Sequence, residues 1–531
     1  MYCEDWVEGA DGLVATKNVE RVRDGVIRVY RLNRLDLWVP WLKHRILQRV
    51  VGAIGISAAA AVGGYLTVRS PTILGVALLG SAALLVGLFN WRWSLLGLLL
   101  YFPYSGIPEQ LFPSHASIAV LAKDFFFVLP AYAGYAMEVL QHRRSLRLPG
   151  LPVLLLSMTI VWTVVEVLNP DLPALIVGLI GLKVWIFYVP MIHLGYAAVE
   201  DLVHFRKALT AVLLAGWVPA LLGIVQAVFL DSGHPDPYTF LYQHGIILLQ
   251  DNIGGFYIGH GAYLMRIRST MPFVSQYFML IFTLFCLSYG LLRSEDSKQR
   301  LIGRLSFAIY VVAALLSGAR VAFPLIPATL FLLMLLEGRV RQIAITAIVL
   351  ALVAAVLLVY LRGPVTGALA NTVQAGNSDL SGSLTGSQPY AWSLPWTGTG
   401  TGSDVESAIR YSGLSQSATS QFTWIESWIA GVRIEQGIPG FVLWNVLFMA
   451  LLAKLLLSQM YLAQGTRRYL AIACAAYVLA CYVSGVKGQP WNIDPADVYI
   501  WLAIGAGLGL IVGKEGDPLV HNTGFPGSDR S

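Results

Sequence analysis

Arg266 and Arg268 stand two residues apart in Met265-Arg-Ile-Arg-Ser-Thr-Met-Pro272. In an extended segment that spacing puts both guanidinium groups on one side. Arg320 stands in Ser317-Gly-Ala-Arg320. The planar guanidinium fork donates paired hydrogen bonds that match phosphate, so these arginines suit a phosphorylated or diphosphate ligand. Headgroup anchoring and pairing with loop acids are the competing uses. Glu426 and Arg433 are seven residues apart. On a helix they share the polar side opposite Trp424, Ile425, Trp428, Ile429 and Val432, about 10.5 Å apart along the axis. A carboxylate facing a cavity there can take a proton from a hydroxyl. Thr423-Trp-Ile-Glu426 also fits a capping box, in which Glu426 only satisfies a backbone N–H.

Charges also stand inside apolar runs. Lys183 lies midway through residues 172–197. A charge at such a depth costs at least ~2.5–3.5 kcal/mol. It needs a bound anion, a wet cavity or an acid such as Glu166. Lys123 and Asp124 are neighbours in another run and point about 100° apart on a helix. They read as a structural polar pair. Gly398-Thr-Gly-Thr-Gly-Ser403 has the look of a phosphate loop but lacks its lysine, and no strand precedes it. A flexible turn is the default for such a stretch. His115, His234, His244 and His260 have no metal-ligand spacing. Cys3, Cys286, Cys474 and Cys481 form no framework. Neither a metal nor a cofactor is expected.

These residues must be placed by elements, and composition says which kind. Of 531 residues, 56% are apolar and only 12% charged. Soluble chains carry about 25% charged residues. A polytopic membrane protein is implied; a soluble or disordered chain is excluded. The net charge of +6 fits cytoplasmic basic loops rather than nucleic acid.

Residues 1–45 are polar and basic and read as a cytoplasmic arm, with no cleavable signal ahead of the first apolar run. Apolar runs follow near 46–68, 71–89, 93–106, 116–140, 150–168, 172–197, 208–230, 273–292, 303–319, 321–337, 342–361, 437–459, 468–486 and 495–513. That predicts an all-α bundle of about fourteen spans over 46–513 and a cytoplasmic tail at 514–531. With both termini inside, 26 of the 36 Lys and Arg fall on the inner side and eight outside. The asymmetry supports that direction. The outer eight are Arg69, Arg266, Arg268, Arg320, Arg362, Arg410, Arg433 and Lys487. Two long loops, 231–272 and 363–436, then lie outside, the second just before the twelfth span. Loops of that length are usually functional or disordered. An outward cationic cavity suits an anionic, lipid-linked or phosphorylated substrate, taken by an enzyme or a transporter. Transporters often carry internal repeats, and none stands out here.

The order of motifs over roughly residues 110–460 resembles the O-antigen polymerase and O-antigen ligase superfamily. The matching pieces are Arg268-Ser-Thr-Met-Pro272, Ser317-Gly-Ala-Arg320, Gly398-Thr-Gly-Thr-Gly-Ser403, Glu426-Ser-Trp-Ile and Glu435-Gln-Gly-Ile-Pro-Gly440. Gly181-Leu-Lys-Val-Trp-Ile-Phe-Tyr-Val-Pro190 resembles an earlier family segment. The resemblance implies a GT-C-like fold in the bacterial cytoplasmic (inner) membrane, with a metal-independent site facing the periplasm. It implies transfer of a glycan from undecaprenyl diphosphate to an undecaprenyl-diphosphate-linked repeat unit, with a flippase and a chain-length regulator as partners. Family ligases carry His-Asn where this chain has Glu426-Ser427, and the carboxylate looks more like exopolysaccharide polymerases. On this reading Glu426 is the general base. Arg268, Arg320, Arg266 and Lys183 bind diphosphate. Arg433 positions the acceptor or balances Glu426, and the glycine-rich segment lets the loop open. A ligase acting on a lipid or protein acceptor, and a lipid-linked oligosaccharide flippase or exporter, are the alternatives.

Overall fold

The computed structural model describes residues 71–111, 116–141, 150–231, 255–259, 262–339, 388–405, 408, 425–462 and 465–512. The expected spans at 46–68 and 342–361, the basic arm and the tail lie outside these residues, as does Thr423. The chain forms two compact units, residues 1–82 with 140–144, and residues 83–139 with 145–531. Of the first, the described part is essentially the first half of helix α1 (Pro71–Phe89).

The second unit is helical. Its elements after α1 are α2 (Trp91–Tyr101), α3 (Gly106–Leu111) and α4 (Ala116–Lys123). A π-turn at Asp124–Val128 leads into α5 (Leu129–Leu140). Then follow α6 (Gly150–Val165), α7 (Leu175–Ile186), α8 (Met191–Ala198) and α9 (Leu202–Asp231). A small antiparallel hairpin, β1 (Gly255–Gly259) with β2 (Ala262–Met265), precedes α10 (Val274–Leu291), α11 (Ser297–Leu315) and α12 (Ala322–Glu337). The last elements are α13 (Gln388–Ser393), α14 (Trp428–Ser458), α15 (Thr466–Ser484) and α16 (Ala496–Val512). The hairpin is a small exception to the all-helical expectation.

Five helical segments are long and apolar enough to cross a membrane among the described residues: 150–168, 175–198, 202–228, 274–291 and 428–461. The protein is therefore a membrane-embedded helical protein. Helix α10 sits at the centre, packed by α9, α11, α15 and α16. Its residues from Tyr277 to Phe285 are all buried. Helices α8 and α16 pack closely because both offer glycine. A Cβ at Gly195 would lie 2.3 Å from the Leu502 carbonyl, and one at Gly505 2.0 Å from that of Ile192.

Helix α14 is broken. Gly437 has φ 65° and ψ −165°, and Pro439 follows. Proline removes the N–H that would bond the Glu435 carbonyl four residues back. In apolar surroundings each freed carbonyl needs another donor. The Glu435 carbonyl accepts from the Gly400 N–H at 2.9 Å, and that of Ile434 from the Thr399 N–H at 2.8 Å. The Gln436 carbonyl accepts from the Trp162 indole at 2.9 Å. The Ile438 N–H donates to the Trp396 carbonyl at 2.7 Å. The break and the 396–400 segment therefore complete one another.

Candidate functional site: the head of the broken helix

The segment Gly398–Asp404 wraps the side chain of Glu435. Positive φ angles at Gly398, Gly400 and Gly402 turn its amides inward. The Gly402 and Asp404 N–H groups donate to the two Glu435 carboxylate oxygens at 2.7 and 2.9 Å, and the Trp185 indole adds a third bond at 2.6 Å. Thr401 donates its N–H to the Glu166 carbonyl and its hydroxyl to the Thr163 carbonyl. A Cβ at Gly402 would lie 2.4 Å from the Val177 carbonyl. Thr401, Ser403 and Asp404 are buried. The expectation of a flexible turn that opens is thus corrected. Glycine is used here for close approach, and the segment is held by bonds to α14, to α6 and to the Glu166 carbonyl just after α6.

Asp404 closes this segment. Its Oδ1 accepts from the Ile425 N–H at 3.0 Å. Its Oδ2 is buried and has no hydrogen-bond partner among the described residues. Burial, with the Glu435 charge second, pushes the Asp404 carboxyl up to about 9 against the pull of the Ile425 N–H.

Glu426 lies just outside α14. Ser427 caps the helix, its Oγ accepting from the Ala430 N–H. The Trp428 and Ile429 N–H groups donate to the Gly488 and Gly485 carbonyls. The initial amides of the helix are therefore satisfied without Glu426. The capping-box role is overturned, and so is the helical face shared by Glu426 and Arg433. Glu426 is instead ion-paired with Lys487, with Glu426 53% and Lys487 39% exposed. Gln489 donates to the Ile425 carbonyl. The backbone before Glu426 is thus held from both sides, by Asp404 and by Gln489.

Arg433 is buried, and its two terminal nitrogens donate to the Leu394 and Pro395 carbonyls at 2.9 and 3.1 Å. It also lies over the Trp392 ring at 5.3 Å. It pins the segment after α13 to α14. The positive partner of Glu426 is Lys487, not Arg433.

The two arginine motifs meet through backbone. The Ile267 N–H donates to the Ser317 carbonyl at 2.9 Å. Arg266 is exposed and Arg268 buried, so one extended stretch presents them differently. Ser269, at φ 50°, turns the chain there, its N–H bonded to Gln226 and its hydroxyl to the Pro219 carbonyl. Arg320 is exposed after the turn at Gly318, whose φ is 72°.

Lys183 finds neither Glu166 nor solvent alone. Its ammonium pairs with Asp124 at 2.9 Å, while Glu166 accepts from Asn169. Asp124 also accepts from the Tyr188 hydroxyl at 2.7 Å. Lys123 pairs with Asp494 at 2.7 Å and stands 3.8 Å from Asp124. Lys123 and Asp124 are therefore not a self-contained pair. They belong to an ionic network, buried at Lys123 and Asp124 and partly exposed at Lys183 and Asp494, that joins α4, α7 and the segment before α16.

Sequence reasoning missed Lys487 and Asp404 as site residues. Lys487 had a signal, since it is one of the positive charges placed outside against the usual bias. Asp404 had a weaker one, an acid directly after a glycine series. No group of three or more His, Cys, Asp or Glu that could hold a metal occurs among the described residues. Comparison of the chain with protein-family models and with curated proteins finds no match.

Proposed function

We propose that the protein is a polysaccharide polymerase of the O-antigen polymerase type, with about fourteen spans and a GT-C-like arrangement. It would act at the outer face of a bacterial cytoplasmic membrane. The observation that supports this best is the half-exposed Glu426 carboxylate, held against Lys487 on a backbone fixed from both sides. Preorganised groups of this kind are what proton transfer needs. Glu426 takes the proton of an acceptor sugar hydroxyl as its oxygen attacks the anomeric carbon of the donor. The bond from that carbon to undecaprenyl diphosphate breaks, and the diphosphate leaves with the electron pair. Arg266, Arg268 and Arg320 bind the diphosphate and stabilise its charge. Lys183 ranks behind them, because Asp124 already balances it. A single displacement inverts the anomeric carbon. Carboxylate in place of histidine at 426 favours a polymerase over a ligase.

The partly buried network around Lys123 and Lys183, together with the broken helix α14, favours a second reading as an exporter of lipid-linked oligosaccharide. Broken helices and intramembrane ion pairs mark many transporters. The test uses purified protein with an undecaprenyl-diphosphate repeat unit and no nucleotide. A product ladder spaced by one repeat, lost in Glu426→Ala and Arg268→Ala, is the expected result. Unchanged substrate, with movement of that substrate across liposomes, would replace the polymerase reading with the exporter.

A further inference from the structure

Asp404 is a buried carboxyl that no step above uses. One oxygen holds the Ile425 N–H, the last amide before Glu426. The other lies where a Cβ on Gly431 would come within 3.0 Å of it. The Asp404 N–H is itself fixed on Glu435. Asp404 thus stands between the break in α14 and the segment that presents Glu426. We propose that Asp404 is the positioning residue for Glu426, setting that carboxylate against Lys487 through the Ile425 amide. The inference rests on reading Glu426 as the base.

The proposal has a pH signature. Among the described residues, the charged groups on the elements packed around Asp404 are few. From α14 comes Glu435, whose charge opposes a second one beside it. Arg433 of the same helix is turned to the Leu394 and Pro395 carbonyls. Glu426 and Lys487 flank the segment and pair with each other. From α7 and the stretch before it, Val177, Ile180, Val184 and Leu172 pack on the neighbouring Val405, and all are apolar. Asp404 therefore works as a neutral acid. A carboxyl whose value is raised on folding stabilises the fold in its protonated form. That contribution is complete below the unfolded value of about 4. It is lost as pH rises towards the folded value of about 9. Above that, an ionised Asp404 is repelled by Glu435, and its displacement carries with it the Ile425 amide that it holds.

Asn at 404 keeps a neutral carbonyl oxygen for the Ile425 N–H, and Ala removes it. The direct readout is a carbodiimide cross-link, which joins the Glu426 carboxylate to the Lys487 amine as an amide when the two are paired. Peptide mass spectrometry measures its yield on the full-length protein in detergent. Asp404→Asn is expected to keep the cross-link and most of the elongation rate. Asp404→Ala is expected to lose the cross-link and to slow elongation about 100-fold, the cost of misplacing a group by an ångström. Wild-type activity and melting temperature should both fall as pH approaches 9, and Asp404→Asn should flatten both falls. If Asp404→Ala does not fold, Gly431→Ala presses a methyl on the same oxygen with Asp404 in place and should lower the cross-link yield. A cross-link equal to wild type in Asp404→Ala or Gly431→Ala, or an unchanged alkaline fall in Asp404→Asn, would overturn the proposal. A wild-type protein that makes no ladder defeats the polymerase reading alone, because the cross-link and the melting curves still report on Asp404.

Discussion

Two regions of the molecule bury carboxylates, and they do it by different means. Around Glu435 the donors are two backbone amides and an indole, all neutral. Around Asp124 and Asp494 the partners are the ammonium groups of Lys183 and Lys123. The first region spends glycines to bring peptide dipoles close. The second spends opposite charges drawn from three separate stretches of chain. Neutral donors leave a site that tolerates loss of its charge. Counter-ions leave one in which removing either partner strands the other in an apolar medium.

The comparison breaks most sharply at Lys123. Lys123→Ala leaves Asp494 without its close cation and should cost about 3–5 kcal/mol. Thermal melting in detergent checks this, and Asp494→Asn in the same chain should recover part of the loss. If Lys123→Ala melts like wild type, the network is not holding the bundle. Next comes Gly437→Ala. Its methyl would sit 2.2 Å from the Trp396 carbonyl, at a φ of 65°. Strain of ~1–3 kcal/mol attends such a backbone before the clash is added. The melting temperature should fall, and protease should cut the segment after α13 sooner. Glu435→Gln sits below both. The amide keeps one oxygen for the N–H donors but turns its NH2 towards the other, at a cost of ~1–3 kcal/mol. It should be milder than Lys123→Ala in the same melting assay. A reversed order would mean that the amide cradle depends on charge after all.

Much of the bundle was legible because hydropathy reads spans directly. Helices α6, α10 and α12 begin and end within a residue or a few of their apolar runs. The site was legible in its parts and not in its joints. Lys123 and Asp494 are far apart in sequence, and no periodicity links them. The glycine series reads as flexible because its bonds go to carbonyls that the break at Gly437 and Pro439 frees some forty residues later. Sequence pattern places the cap at Thr423, whereas Ser427 caps α14. The carbonyls of Gly485 and Gly488 decide it, by taking the first two amides of α14. Lys487 arrives with that same turn, which explains why Arg433 was given its place.

The smallest effect on stability should come from the pair with the most to do. Glu426 and Lys487 are both exposed enough for water to screen them. Such a pair contributes about 0–1 kcal/mol. Glu426→Gln and Lys487→Ala should therefore melt within a degree or two of wild type, unlike Lys123→Ala. Their effect on rate should run the other way. Loss of a positioned base costs typically 10²–10⁴-fold. Glu426→Gln should fall in that range, and Lys487→Ala should fall less, since the carboxylate remains. Elongation of the lipid-linked repeat unit, measured beside melting on the same preparations, separates the two quantities. A Glu426→Gln protein that melts normally and elongates at the wild-type rate would return this pair to the surface ion pairs. The search for the base would then move inward to the carboxyls around the glycine segment.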